Sequence, residues 1–232
     1  MSQTEQKRSF VQFAFYKIDM EWRRLPAGVR AVNREQLATV VDCFAERFMV
    51  KTYSTIGTRG DCDFLLWRAS DRLENFQEMQ AELLRTELGG FLQTPYSFLA
   101  MTKRSQYIER HQHEGQDGAR LVLKPSGAKY LFVYPFVKTR DWYLLPKEKR
   151  QEIMSVHIEI GNRFPSVKLN TTYSFGLDDQ EFVVAFETDE PADFLDLVMT
   201  LRETESSRYT LRDTPIFTCV QKPIREALAL IG

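Results

Sequence analysis

The sequence repeats itself, and that constrains its fold more than any other feature. Phe10-Val-Gln-Phe-Ala-Phe-Tyr-Lys17, followed by Glu21-Trp22-Arg-Arg-Leu-Pro26, returns about 118–120 residues later as Tyr130-Leu-Phe-Val-Tyr-Pro-Phe-Val-Lys138, followed by Asp141-Trp142-Tyr-Leu-Leu-Pro146. Gly60-Asp-Cys-Asp-Phe-Leu-Leu-Trp67 is matched by Asp178-Asp-Gln-Glu-Phe-Val-Val-Ala-Phe186, and Phe76 by Phe194. A repeat this long is a whole structural unit rather than a solenoid module, so each half must build the same fold.

Within a half, an aromatic run with strand character (9–18, 128–137) precedes a helical pattern (33–48, 146–162) and two strands joined by a polar turn (50–57 and 62–68; 166–175 and 180–187). A second helix (71–88, 191–205) and a closing strand (95–103, 214–221) complete it. Asn33, Ser70 and Asp71 stand where helix caps are expected, and Pro146 and Pro191 where a first turn tolerates proline. The order β-α-β-β-α-β, twice, specifies an α+β chain of two ferredoxin-like repeats, each with helices on one face of an antiparallel sheet. Two such sheets can close into a barrel. The expected organisation is an N-terminal half over 8–105, a polar linker over 106–127, a C-terminal half over 128–222 and a helical tail over 223–232.

Charge and apolar content narrow the function. With 31 Lys plus Arg against 32 Asp plus Glu, the net charge of −1 excludes a generic basic nucleic-acid binder. No apolar run approaches the ~20 residues of a membrane span, and Met1 to Ser9 is polar, so a cytoplasmic protein is expected. Cys43, Cys62 and Cys219 have no CxxC spacing and read as free thiols in or near the core. No paired-carboxylate, Ser-His-Asp or phosphate-loop constellation is present, because Gly57-Thr-Arg-Gly60 is too short to cradle a phosphate.

Of the three histidines, His111 and His113 fall in the polar, Gly-bearing linker, whereas His157 lies in a helical pattern with Ile153 and Ile160 at i−4 and i+3. That spacing aims an imidazole inward along an apolar stripe. Spacing alone also fits a core histidine bonded to a backbone carbonyl. A zinc site has too few partners, but axial ligation of a haem iron needs only one histidine.

Several segments now carry a resemblance. Tyr134-Pro-Phe-Val-Lys138, Trp142-Tyr-Leu-Leu-Pro146, Met154-Ser-Val-His157, Ser174-Phe-Gly-Leu-Asp-Asp179 and Phe186-Glu-Thr-Asp189 resemble, in order and spacing, the signature of the chlorite dismutase family; Met20-Glu-Trp22 and Gly60-Asp-Cys-Asp63 resemble its first half. The resemblance runs over nearly the whole chain. It implies a dimeric α+β barrel subunit assembled into a homo-oligomer, usually a pentamer, with an iron porphyrin (haem b or iron coproporphyrin) in the C-terminal half and His157 as axial ligand.

The family's two chemistries differ on the distal side. Chlorite dismutases resemble Val-Lys-Arg shortly before Ser-x-Gly-Leu-Asp-Asp; here Leu169 takes the arginine's place, with Lys168 and Asn170 beside it, and an apolar side chain cannot hold an oxyanion. Coproheme decarboxylases resemble this chain at Tyr134, Lys138 and Ser207. By that resemblance, hydrogen peroxide is the oxidant, Tyr134 the radical relay, and Lys138 and Ser207 contacts to propionates; Phe136 stands where methionine is frequent, and Glu205 is the candidate partner for the far nitrogen of His157. The alternatives are chlorite or peroxidase chemistry with a small oxyanion or peroxide, and porphyrin binding without turnover. Without the resemblance, Tyr134 reads as a core tyrosine, Lys138 with Arg140 as a solvated face, and Asp178 and Asp179 as a turn near Gly176.

Overall fold

A computed structural model describes residues 8–105, 107, 123 and 125–232. The chain divides into two compact units, one built from 9–101 with 217–232, the other from 102–216.

In the first unit, alternating side chains make β1 (Phe10–Ile18) the central strand. It pairs antiparallel with β3 (Phe64–Ser70) on one side and β4 (Leu92–Met101) on the other, and β3 pairs in turn with β2 (Met49–Ser54). Ala14, Tyr16 and Ile18 of β1, with Phe64 and Leu66 of β3, face α1 (Ala27–Ala45) and α2 (Glu74–Arg85). Leu37, Val41 and Phe44 of α1 and Met79 and Leu83 of α2 fill the space between. Strand β9 (Phe217–Gln221) extends this sheet beside β2, with Tyr53 opposite Gln221, and α6 (Ile224–Ala229) adds Ile224 and Leu228 to the same core.

The second unit repeats the plan. β5 (Tyr130–Lys138) pairs with β7 (Phe182–Thr188), β7 with β6 (Lys168–Tyr173), all antiparallel, and the short β8 (Thr210–Arg212) lies on the other side of β5. A short α3 (Arg140–Leu144) leads into α4 (Lys147–Asn162), and α5 (Pro191–Arg202) follows β7 with Pro191 in its first turn. Phe132, Phe186 and Phe194 form a stacked aromatic centre, with Phe132 and Phe194 centroids 4.0 Å apart. Opposite residues in an antiparallel pair share a face. The rows Phe132–Phe186–Leu169 and Tyr134–Val184–Thr171 therefore lie on one face of this sheet.

One device is common to both units. Asp63 accepts a hydrogen bond from the Ile18 amide at 2.8 Å, and Glu181 accepts one from the Lys138 amide, also at 2.8 Å. Each carboxylate ties the start of its strand pair to the exit of the central strand.

The contents of the two units differ. At a period of 120, Leu37 is the counterpart of His157 and Ile18 that of Lys138. The first unit is closed by apolar side chains at both positions, and α1 buries five residues where α4 buries only Ile153 and Ile160.

Several elements depart from the sequence reading. α1 starts after Pro26, not at Asn33, because Asn33 turns inward and its Oδ1 accepts from Trp22 Nε1 at 3.2 Å. α2 starts at Glu74; Ser70 Oγ accepts instead from Arg72 N and Asn75 Nδ2. Segment 214–221, assigned by the repeat to the second half, contributes its strand to the first compact unit. Cys62 and Cys219 are buried free thiols, whereas Cys43 is exposed on α1. His111, His113 and most of the expected linker lie outside the described residues. No described helix is long and apolar enough to cross a membrane.

Candidate active site

Three segments of the second unit carry the chemically capable residues. On β5, alternation puts Phe132, Tyr134, Phe136 and Lys138 on one face, the face that carries the apolar cluster under α4 and α5. α4 carries His157 between its buried residues Ile153 and Ile160. The turn after α5, residues 203–209, supplies hydroxyls.

His157 is the centre of this group. Its Nδ1 lies 3.2 Å from Ser206 Oγ, and among the described residues its Nε2 has no hydrogen-bond partner. Burial, with the nearby Lys138 charge adding to it, pulls the imidazole down to about 4, so the ring is neutral at pH 7 with a lone pair to offer. Lys138 sends its ammonium to the Ser206 carbonyl oxygen at 3.1 Å and lies 4.5 Å from the Trp142 ring centroid. Burial lowers it to about 8 against the opposing pull of Glu181. No carboxylate forms a salt bridge with it among the described residues. Tyr143, on α3, donates to Glu181 at 2.5 Å and keeps that carboxylate anchored.

Tyr134 stacks on Phe186 at 6.1 Å between centroids, and its hydroxyl has no hydrogen-bond partner among the described residues. Burial, and then the Asp213 carboxylate, push the phenol well above its ordinary range, while Arg202 opposes them. Arg202 and Asp213 form an ion pair. At neutral pH Tyr134 therefore holds its proton.

Leu169 is 43% exposed, in the row of Phe132 and Phe186. Lys168 and Asn170 point to the opposite face, where Asn170 donates to Glu187 at 2.8 Å, so of the three only Leu169 shares a face with Tyr134. Ser207 gives its hydroxyl to the Arg202 and Thr204 carbonyls, both at 2.8 Å, and must turn to reach a ligand. Glu205 does not meet His157; it pairs with Lys149 at 3.5 Å, and the residue next to it in sequence, Ser206, takes that place. Ser206 was invisible to periodicity because a serine in a turn carries no pattern; the sequence signal was only its adjacency to the glutamate the resemblance pointed to.

No cluster of three or more His, Cys, Asp or Glu side chains suited to a bare metal ion occurs among the described residues. The donor set instead fits an iron porphyrin. Among the described residues one neutral imidazole nitrogen is unpartnered, an apolar and aromatic sheet face lies in the same unit, and a half-buried ammonium without a salt bridge matches a propionate of such a ligand. His157 would hold the iron, Lys138 a carboxylate, and Tyr134 with Leu169 the apolar wall.

The chlorite dismutase family profile matches residues 30–222. Among characterised proteins, the coproheme decarboxylase of Mycolicibacterium smegmatis is 34% identical over 167 residues, which is 72% of this chain and 70% of that one. The chlorite dismutase of Ideonella dechloratans is 26% identical over 208 residues, 88% of this chain and 72% of that one. Among solved structures, chlorite dismutase from Candidatus Nitrospira defluvii in complex with imidazole superposes with a TM-score of 0.86 at 25% identity, covering 98% of this chain and 96% of that one. A point mutant of the same enzyme gives 0.88 at 24% identity, with the same coverage.

Proposed function

The chain belongs to the chlorite dismutase family, and from that premise we propose that it is a haem-dependent oxidoreductase that converts iron coproporphyrin to haem b with hydrogen peroxide. When bound, the iron porphyrin would supply both the oxidising centre and the substrate: at each of two propionic acid groups, carbon dioxide and two hydrogens would be lost to leave a vinyl group, and those two electrons and two protons would reduce one hydrogen peroxide to two waters, so two peroxides are consumed per porphyrin.

The residues divide the work as their environments dictate. His157 would hold the iron through Nε2, from the neutral ring that burial maintains. Tyr134 would relay an electron from a propionate, and its half-buried phenol, pushed well above its ordinary range, holds its proton at neutral pH until it is oxidised. Lys138 would hold a propionate as a point charge and offset its negative charge. Ser207 adds a hydroxyl once it turns from the Arg202 carbonyl. Leu169 and the aromatic rows would give the porphyrin an apolar wall on the same face.

The observation that carries this reading is the placement of Tyr134 and Lys138 on one face of β5, in one unit with a neutral His157 whose Nδ1 is engaged by Ser206. Leu169 argues against chlorite as the substrate, because it has no donor to hold an oxyanion in a dry site. Tyr134→Phe tests the assignment. Decarboxylation should fall by at least about a hundredfold while iron coproporphyrin still binds within about twofold; turnover near the parent rate would remove the relay role.

A further inference from the structure

The hydroxyls beside His157 have only as many protons as they have oxygens, and counting those protons gives each hydrogen bond a direction. Thr204 Oγ1 lies 2.7 Å from the Leu201 carbonyl oxygen, which accepts only, so the single Thr204 proton is donated there. Thr204 Oγ1 also lies 2.8 Å from Ser206 Oγ. With the Thr204 proton already placed, Ser206 must be the donor in that pair. The single Ser206 proton is then used as well, and at 3.2 Å Ser206 Oγ can present only a lone pair to His157 Nδ1. The histidine must therefore donate.

From this chain we infer that Thr204 and Ser206 are positioning residues that fix His157 as its Nδ1–H tautomer, leaving the Nε2 lone pair for the iron. The inference rests on the reading of His157 as axial ligand for its purpose, but not for its geometry. Protons run in one direction, from His157 through Ser206 and Thr204 to the Leu201 carbonyl at the end of α5. A helix C-terminus leaves carbonyls without intrahelical partners, so the chain ends on an acceptor that the fold itself provides. Because the acceptor at Nδ1 is a hydroxyl rather than a carboxylate, the ligand stays a neutral imidazole. The Ser206 carbonyl meanwhile holds the Lys138 ammonium, so one residue sets both the tautomer of the ligand and the resting place of the cation.

The test is made on the full-length protein without porphyrin, by two-bond proton–nitrogen correlation spectra of its histidines, with His157 assigned by comparison with His157→Gln. The wild type should show His157 protonated at Nδ1. In Thr204→Val the acceptor for Ser206 is gone, its proton can turn to His157, and the Nε2–H form should appear; Thr204→Ser should retain the wild-type spectrum. In Ser206→Ala the preference should be lost. A wild-type ring protonated at Nε2, or an unchanged tautomer in both Thr204→Val and Ser206→Ala, would overturn the inference. Binding then connects it to the iron: Thr204→Val should weaken iron coproporphyrin roughly tenfold or more and leave metal-free coproporphyrin unchanged. Equal weakening of both would remove the link to the metal. A tautomer that responds as stated in a protein that binds neither porphyrin would sustain the hydroxyl chain and overturn the proposed function instead.

Discussion

At Lys138 and His157 the same burial acts on two bases with different consequences. Each has a folded-state proton affinity below its unfolded value, so the unfolded chain binds more protons and stability rises with pH across the interval between the two values. For His157 the interval runs from about 4 in the native state up to the ordinary 6.5. Its contribution is complete above that range and is lost as pH falls towards 4, amounting to at most about 3 kcal/mol. Urea unfolding of the porphyrin-free protein should show a steeper loss between pH 6.5 and 4 than His157→Gln does; parallel profiles would contradict the neutral buried ring. Lys138, lowered to about 8, should bind porphyrin carboxylates with an affinity that declines as pH rises past that value, measured by fluorescence quenching with metal-free coproporphyrin. A flat profile through pH 9, or one that Lys138→Met also shows, would remove Lys138 as the carboxylate's partner. His157 was legible because its helix period aims it inward, whereas Tyr134 and Lys138 were legible only through the family resemblance, since an aromatic strand and a run of basic residues by themselves read as core and solvated face. The sequence did not reveal Ser206, whose role exists only where the turn after α5 meets α4.

Among elements, the paired carboxylates explain how two copies of one fold keep their central strands in register. Asp63, 2% exposed, accepts from the Ile18 amide and from Lys17, at 2.8 and 3.0 Å. Asp63→Ala orphans a buried amide and should cost about 1–3 kcal/mol in urea denaturation, with no change in porphyrin binding; a cost near zero would show that water replaces the carboxylate freely. Strand and helix order was readable because aromatic alternation and apolar stripes survive in both copies. The boundaries were less so. Asn33 reads as a cap in the sequence, yet α1 begins after Pro26, because Asn33 is engaged in a tertiary hydrogen bond with Trp22 that no local pattern declares. α3 and β8, at five and three residues, are too short for any period to declare itself.

For the whole molecule, the repeat gives two units of one plan with different contents. Where the first copy has Leu37 and Ile18, fully buried, the second has His157 and Lys138. Repeat, charge balance and resemblance together made that asymmetry visible, since the first copy contains no histidine. One porphyrin iron per chain should therefore bind at saturation, counted by metal analysis against protein; two per chain would contradict the closed first unit. The chemistry itself is tested most directly by mass spectrometry of the bound porphyrin before and after peroxide is added to the protein loaded with iron coproporphyrin. Successive loss of two carboxyl groups is expected, through a three-propionate species to haem b. Iron coproporphyrin that persists unchanged, or is destroyed without a three-propionate species, would contradict it.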